Sequence, residues 1–265
     1  MNDVRKITVG KILHRVVCIL LIAYILAPLV VLAVASFSQE SVLTFPPKAY
    51  SLQWYEAFFT NKGLMSAFKN SLLLALSSAF CALILGSVTA YAVDRSPKRD
   101  FMLSFFVSPL TIPAIITGLA MLQIYSALGV DRNFLVLLSG HVVITTPYVV
   151  RTVAASLYRF NITLEEAAQT LGASKVVTFL KITLPILKPS LISSGCFAFI
   201  SSFGNMSVSM FLTTARYTTL PIRVYGYAEN SPDPTIAAIS TVILLFTIVM
   251  MMVIEKTTGI EKIRG

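Results

Sequence analysis

The sequence predicts an all-α membrane protein of six transmembrane helices, forming a single transmembrane domain over residues 1–265 with a helical loop on the cytoplasmic side. Three observations carry that prediction. The 265 residues are 56% hydrophobic and only 12% charged, about half the charge of an ordinary water-soluble domain. So much apolar surface finds its natural solvent in a bilayer. Six apolar runs approach or exceed the roughly 20 residues that span the hydrocarbon core as a helix. Finally, Lys and Arg sort to one side. The N-terminus, the loop 94–100, the region Arg151–Lys188 and the tail hold 15 of the 21, and the three opposite loops hold six. Positive charge collects on the cytoplasmic face, which places both termini there. The net charge of +9 is therefore a matter of orientation, not a nucleic-acid footprint.

The first span is predicted at about 16–36, behind Arg5, Lys6, Lys11 and Arg15. A cleavable leader ending near Ala33-Val34-Ala35 is the competing reading. The apolar run is longer than the roughly 7–15 residues of a leader's hydrophobic core. Residues 37–68 form an external loop. Pro46-Pro47 makes a stiff extended piece, and Ser51 is a candidate helix cap. Leu52, Tyr55, Phe58 and Phe59 are expected on one face beside Trp54, the only Trp, in a short helix at the membrane interface where aromatic side chains collect.

The second span is predicted at 71–93, followed by the charged loop Asp94–Asp100. The third, 101–128, contains Pro109 and Pro113, and prolines kink spans where neighbours satisfy the freed carbonyls. Residues 129–133 make a turn. The fourth span, 134–157, contains Pro147. The fifth and sixth are predicted at 190–213 and 234–254, separated by loop 214–233.

Between the fourth and fifth spans, residues 158–189 form the longest polar-rich interruption in the second half of the chain. They read as two short helices with a bend. Thr163 and Glu166 have the spacing of a capping box. Leu164, Ala167, Ala168 and Leu171 repeat at helical spacing. Gly172 ends the first helix by adopting positive φ at low cost. Ser174 caps a second helix, and Pro185 is expected to end it.

Little in the chain carries chemistry. Cys18, Cys81 and Cys196 lie in apolar runs and suggest neither disulfides nor a metal pair. No metal-ligand cluster appears. There is no GxxxxGK[ST] phosphate loop, so ATP hydrolysis is expected elsewhere. Ser139-Gly140-His141 raises an intramembrane hydrolase, but residues two apart on a helix do not face each other. His141 is read as a hydrogen-bonded packing residue. Ser201, Ser202, Asn205, Ser207 and Ser209 crowd the fifth span around Gly204. Polar groups at that depth face protein or a water-filled path. Ser201, Ser202, Asn205 and Ser209 are candidate pathway residues, with interhelical packing as the competing role. Gln123, Tyr125, Thr145, Thr146 and Tyr148 are weaker candidates. No Asp or Glu falls within the six predicted spans, so the pathway reads as neutral. That also argues against the ion-coupled secondary transporter, the alternative from another class.

The loop resembles the EAA loop of ABC-importer permease subunits. Glu166-Ala167-Ala168, Gly172, Ile182 and Leu184-Pro185 keep every spacing of that signature. FPPKAYSLQWY, SFGNMSVSMFL, TTLPIRVY and DPTIAAIS resemble the spermidine/putrescine group of these permeases, over nearly all of the chain. That group includes relatives for phosphonates and other solutes. Gly204 departs from the acid that many of them carry after the Phe matching Phe203. The resemblance implies the type I ABC importer permease fold in a bacterial inner membrane. It implies alternating access, with no cofactor bound by this chain and with ATP and Mg in partner subunits. The implied partners are two ATP-binding subunits, a second permease, homologous or identical, and a periplasmic or lipid-anchored solute-binding protein, within membrane lipids and without nucleic acid. Glu165, Glu166, Ala167, Ala168, Leu171, Gly172, Leu184 and Pro185 are then the ATPase-coupling residues, with the helix around Glu165–Leu171 seated in a cleft of the ATPase.

Overall fold

The computed structural model describes residues 2–230 and 233–258. These residues are helical throughout apart from turns and one isolated bridge between Ser38 and Tyr50. In chain order the helices are α1 (Asn2–Ala35), α2 (Gln53–Thr60), α3 (Lys62–Asp94), α4 (Arg99–Val107), α5 (Ala114–Ala127) and α6 (Phe134–Tyr158). They continue as α7 (Thr163–Thr170), α8 (Lys175–Thr178), α9 (Leu184–Phe203), α10 (Ser209–Leu212), α11 (Leu220–Asn230) and α12 (Thr235–Thr258). Among the described residues, five runs are long and apolar enough to cross a bilayer. These are Lys11–Ala35, Lys62–Asp94, Phe134–Tyr158, Lys175–Phe203 and Thr235–Met252; α4 with its following turn, together with α5, would make a sixth.

That sixth run differs from the expected kinked span. Arg99–Thr111 and Ala114–Ala127 are bent by 94°. The cause is local. Pro109 opens a 3₁₀ turn at Ser108–Thr111, and Ile112 is extended at φ −84, ψ 128. A residue before proline is pushed out of the α region, here by Pro113. Pro147, by contrast, sits inside α6 without ending it. The fifth span is also corrected. Its helix begins well before 190 and stops at Phe203, and residues 204–208 break the path to α10.

The chain divides into two compact units, Met1–Lys62 with Gly226–Leu245 and Gly63–Tyr225 with Phe246–Gly265. In the first, Trp54 Nε1 donates to the Ser38 carbonyl at 2.6 Å, and the Ser36 and Tyr55 hydroxyls are paired at 2.6 Å. Ser51 Oγ accepts the amide of Gln53. Phe58 is buried, whereas Leu52 and Phe59 are exposed. Leu52 departs from the expected face because it precedes the helix, while Tyr55, Phe58 and Phe59 keep the i, i+3, i+4 spacing of one face and the Phe58 and Phe59 rings lie 4.9 Å apart.

In the second unit, Leu74, Val136, Leu137, Val208 and Leu212 form a buried cluster with Met121, Tyr125 and Phe211 packed against it. Phe68, Phe199, Phe203 and Phe246 form an aromatic cluster, with ring centroids 5.5–6.2 Å apart in the contacting pairs. Small residues allow close backbone approach within a bilayer. A methyl group on Gly86 would lie 2.7 Å from Val149. Nearby, the Ser78 and Thr145 hydroxyls are paired at 3.0 Å.

Candidate functional site

The loop between α6 and α9 is built by local hydrogen bonding. Asn161 Oδ1 accepts both the amide of Thr163 at 3.1 Å and its hydroxyl at 2.8 Å. An Asn side chain reaches naturally to the backbone two residues on. It therefore displaces the expected capping box: the Thr163 hydroxyl turns back to Asn161, and the Glu166 side chain is exposed. At the other end of α7, Gly172 has φ +89. Its amide donates to the Gln169 carbonyl, and that of Ala173 to the Ala168 carbonyl. Those two bonds make a Schellman motif, which satisfies two of the last carbonyls of the helix.

Ser174 Oγ accepts the amide of Val177 at 3.3 Å, capping α8. Pro185 does not end this segment. It sits in the first turn of α9, where a missing N–H costs no helical bond. A π-turn over Phe179–Thr183 joins α8 to α9, so Lys175–Phe203 forms one run.

The two adjacent glutamates face opposite ways. Glu165 is buried. Its Oε2 accepts from Arg95 Nη2 at 2.7 Å, and its Oε1 accepts from the Thr183 hydroxyl at 2.5 Å. Glu165 therefore ties α7 to its own chain and is not available as a docking contact. The outward face carries Leu164, Glu166, Ala167 and Leu171; Leu171 is 89% exposed. Ala168 is half-buried, as is Leu184, while Pro185 is exposed. Sequence reasoning missed the Arg95–Glu165–Thr183 set. The acid-rich first turn of α7 and the charged loop at 94–100 were visible, but nothing local joined them.

Two polar residues of the predicted fifth span, Ser202 and Ser209, meet at His141. This ring is fully buried in α6 and bonds Ser202 Oγ through Nδ1 at 2.8 Å and Ser209 Oγ through Nε2 at 3.0 Å. Ser209 already donates to the Asn205 carbonyl at 2.8 Å. It therefore accepts from Nε2–H, and Nδ1 accepts from Ser202; this network fixes the tautomer. His141 thus bridges the break, joining the end of α9 to the start of α10. Asn205 Oδ1 accepts the amide of Val208 at 2.9 Å, capping the turn that enters α10. Ser202 and Ser209 are buried and committed to this packing, whereas Ser201, Asn205 and Ser207 are half-buried. Among the weaker candidates, Tyr125 pairs with Ser139 at 2.8 Å, and Thr145 and Thr146 bond carbonyls of their own helix. Gln123 and Tyr148 are exposed.

Comparison with known proteins relates the chain to transport permeases by sequence and by fold. It is 30% identical over 246 residues to the spermidine/putrescine transport system permease protein PotC of Escherichia coli (strain K12), covering 92% of this chain and 93% of that one. It is 32% identical over 243 residues to the putrescine transport system permease protein PotI of the same strain, covering 87% and 85%. A crystal structure of a bacterial ABC transporter involved in the import of the acidic polysaccharide alginate contains a chain that superposes with a TM-score of 0.75. That match has 18% identity and covers 95% of this chain and 97% of that one, which establishes the type I importer permease fold. Residues 82–255 match the family model described as the inner membrane component of binding-protein-dependent transport systems. The span Lys175–Phe203 and the loop that presents α7 lie inside that match, and the chain belongs to this family of importer permeases.

Proposed function

We propose that the chain is the transmembrane permease of an ATP-driven importer for a polyamine-type solute, and that α7 is the element its ATPase grips. The observation that carries this reading is the outward face of α7. Leu164, Glu166 and Leu171 stand exposed on a short helix whose end is fixed by Gly172 and whose inner side is anchored by Glu165. An apolar, capped knob of this kind suits a cleft on a partner protein. ATP and Mg belong to two ATP-binding subunits. A second permease completes the pathway, and a periplasmic or lipid-anchored binding protein delivers the solute. Both termini face the cytoplasm of a bacterial cell, in keeping with the charge asymmetry.

The polyamine assignment rests on the relatives. No acidic residue lies inside the six predicted spans, so selection of a cationic solute falls to the binding protein. Proteoliposomes carrying the permease pair and the ATPase, supplied with the binding protein, test the reading. ATP-dependent uptake of labelled spermidine or putrescine is expected. Uptake driven by an ion gradient without ATP would remove the importer reading. Uptake of 2-aminoethylphosphonate in place of either polyamine would remove the substrate assignment alone.

A further inference from the structure

The helix α3 is held at both ends by polar contacts to segments far away in sequence. At its C-terminal end, Arg95 donates to buried Glu165 of α7 at 2.7 Å. Asp94 pairs with Arg95 at 3.2 Å and Arg99 at 3.4 Å, which orders the guanidinium groups. One turn back, the Tyr91 ring packs edge-on against Phe179 of the π-turn, with centroids 5.3 Å apart. Arg95 lies 5.0 Å over the same Tyr91 ring. The second oxygen of Glu165 holds Thr183, just ahead of α9. One buried carboxylate thus joins α7, α9 and the end of α3.

Towards its other end, α3 holds residues 216–220. Ser71 Oγ accepts the amide of Leu220 at 2.7 Å, and Asn70 Nδ2 donates to the carbonyls of Arg216 and Thr218 at 3.1 and 3.2 Å. Between Ser71 and Asp94 the helix is unbroken and rises about 35 Å at 1.5 Å per residue. It therefore reaches across the membrane from one set of contacts to the other.

We infer that α3 is the rod that carries displacement of α7 to the segment 216–220 on the opposite face, with the Arg95–Glu165 pair as its grip. This rests on the reading of α7 as the seat of the ATPase. The competing role for the pair is local: each charge merely offsets the other where the carboxylate is buried. The two roles separate in a double substitution. Removing one partner of a buried pair leaves a stranded charge and destabilises the fold, whereas removing both is close to neutral. Arg95→Gln with Glu165→Gln is therefore expected to insert at normal yield and keep its ATPase.

The measurement is stimulation of ATP hydrolysis by the binding protein, used as purified, in the complete reconstituted importer. For the double variant, stimulation, read as a ratio to that variant's own basal hydrolysis, is expected to fall about tenfold, the scale of coupling between residues in one network. Asn70→Ala with Ser71→Ala, remote from α7, is expected to give the same loss. Wild-type stimulation in either double variant overturns the inference. Gly172→Asp, run beside them, separates the two readings. If it keeps its ATPase and full stimulation, the role of α7 itself fails. If it loses either while the double variants match wild type, only the rod fails.

Discussion

Replacing Gly172 by alanine leaves ample room for the new methyl group and yet forces an L side chain into the left-handed region. No atom lies within 4 Å of a Cβ built at this position, and φ is +89. The cost to this chain is thus conformational and not steric, roughly 1–2 kcal/mol for an ordinary L residue. Asparagine visits that region more readily, so Gly172→Asn is expected to cost less than Gly172→Ala. A cost of that size is not enough to unfold a unit held by several long helices. The pair of variants should therefore insert normally and differ modestly in thermal unfolding in detergent, with Asn above Ala. Gly172→Asp adds a negative charge on the exposed side of the turn, where the ATPase is proposed to dock. Its folding should be no worse than that of the alanine variant, since Asp, like Asn, visits the left-handed region, while ATPase retention in a pull-down should be lost or uptake should fall away from hydrolysis. Unfolding of the alanine variant costing several kcal/mol, or asparagine behaving no better than alanine, would refute the backbone argument.

Two further predictions concern the buried polar cluster. His141→Ala strands the buried Ser202 hydroxyl, at about 1–3 kcal/mol for an unpaired group, and leaves Ser209 only its bond to the Asn205 carbonyl, on top of the cavity left by the ring. A clearly lower unfolding temperature in detergent checks this, and an unchanged one would show that His141 does not bridge the break. Asn205→Leu removes the cap on the Val208 amide, worth about 1 kcal/mol, and a half-buried polar group beside the broken span. Uptake is expected to change while expression and assembly survive. Normal uptake would assign Asn205 to packing alone.

What was legible in the sequence was local. Gly172 and Ser174 were readable because a positive-φ stop and a serine cap each act within a few residues. The Thr163–Glu166 box failed for an equally local reason: Asn161 stands two residues earlier and satisfies the same end of the helix. Pro109 and Pro113 marked the place of the bend in the third span, but not its size. The 94° turn needs the extended Ile112 between a 3₁₀ turn and the next helix. The fifth span reads as one helix because Met206, Val208, Met210, Phe211 and Leu212 carry the apolar run past Gly204. Its break depends on Asn205 capping Val208 and on His141, more than 60 positions away. Glu165 and Glu166 read alike in the sequence, as neighbouring ATPase-coupling residues. The actual direction of Glu165 depends on Arg95, 70 positions earlier in the chain, and no periodicity within α7 distinguishes the two acids. The helix α11 lies in a stretch that reads as loop, since its polar and apolar residues are too evenly mixed to give a span.

The central claim is that α7 seats the ATPase, and Leu171→Asp tests it most directly. Leu171 is 89% exposed, so a charge there costs the isolated chain almost nothing, in line with surface substitutions within about 0.5 kcal/mol. The measurement is co-purification of the ATPase with the variant permease from membranes containing equal amounts of each chain. The ATPase is predicted to be released while the permease remains folded and inserted. Full retention of the ATPase by Leu171→Asp, with uptake intact in the same cells, would contradict the account.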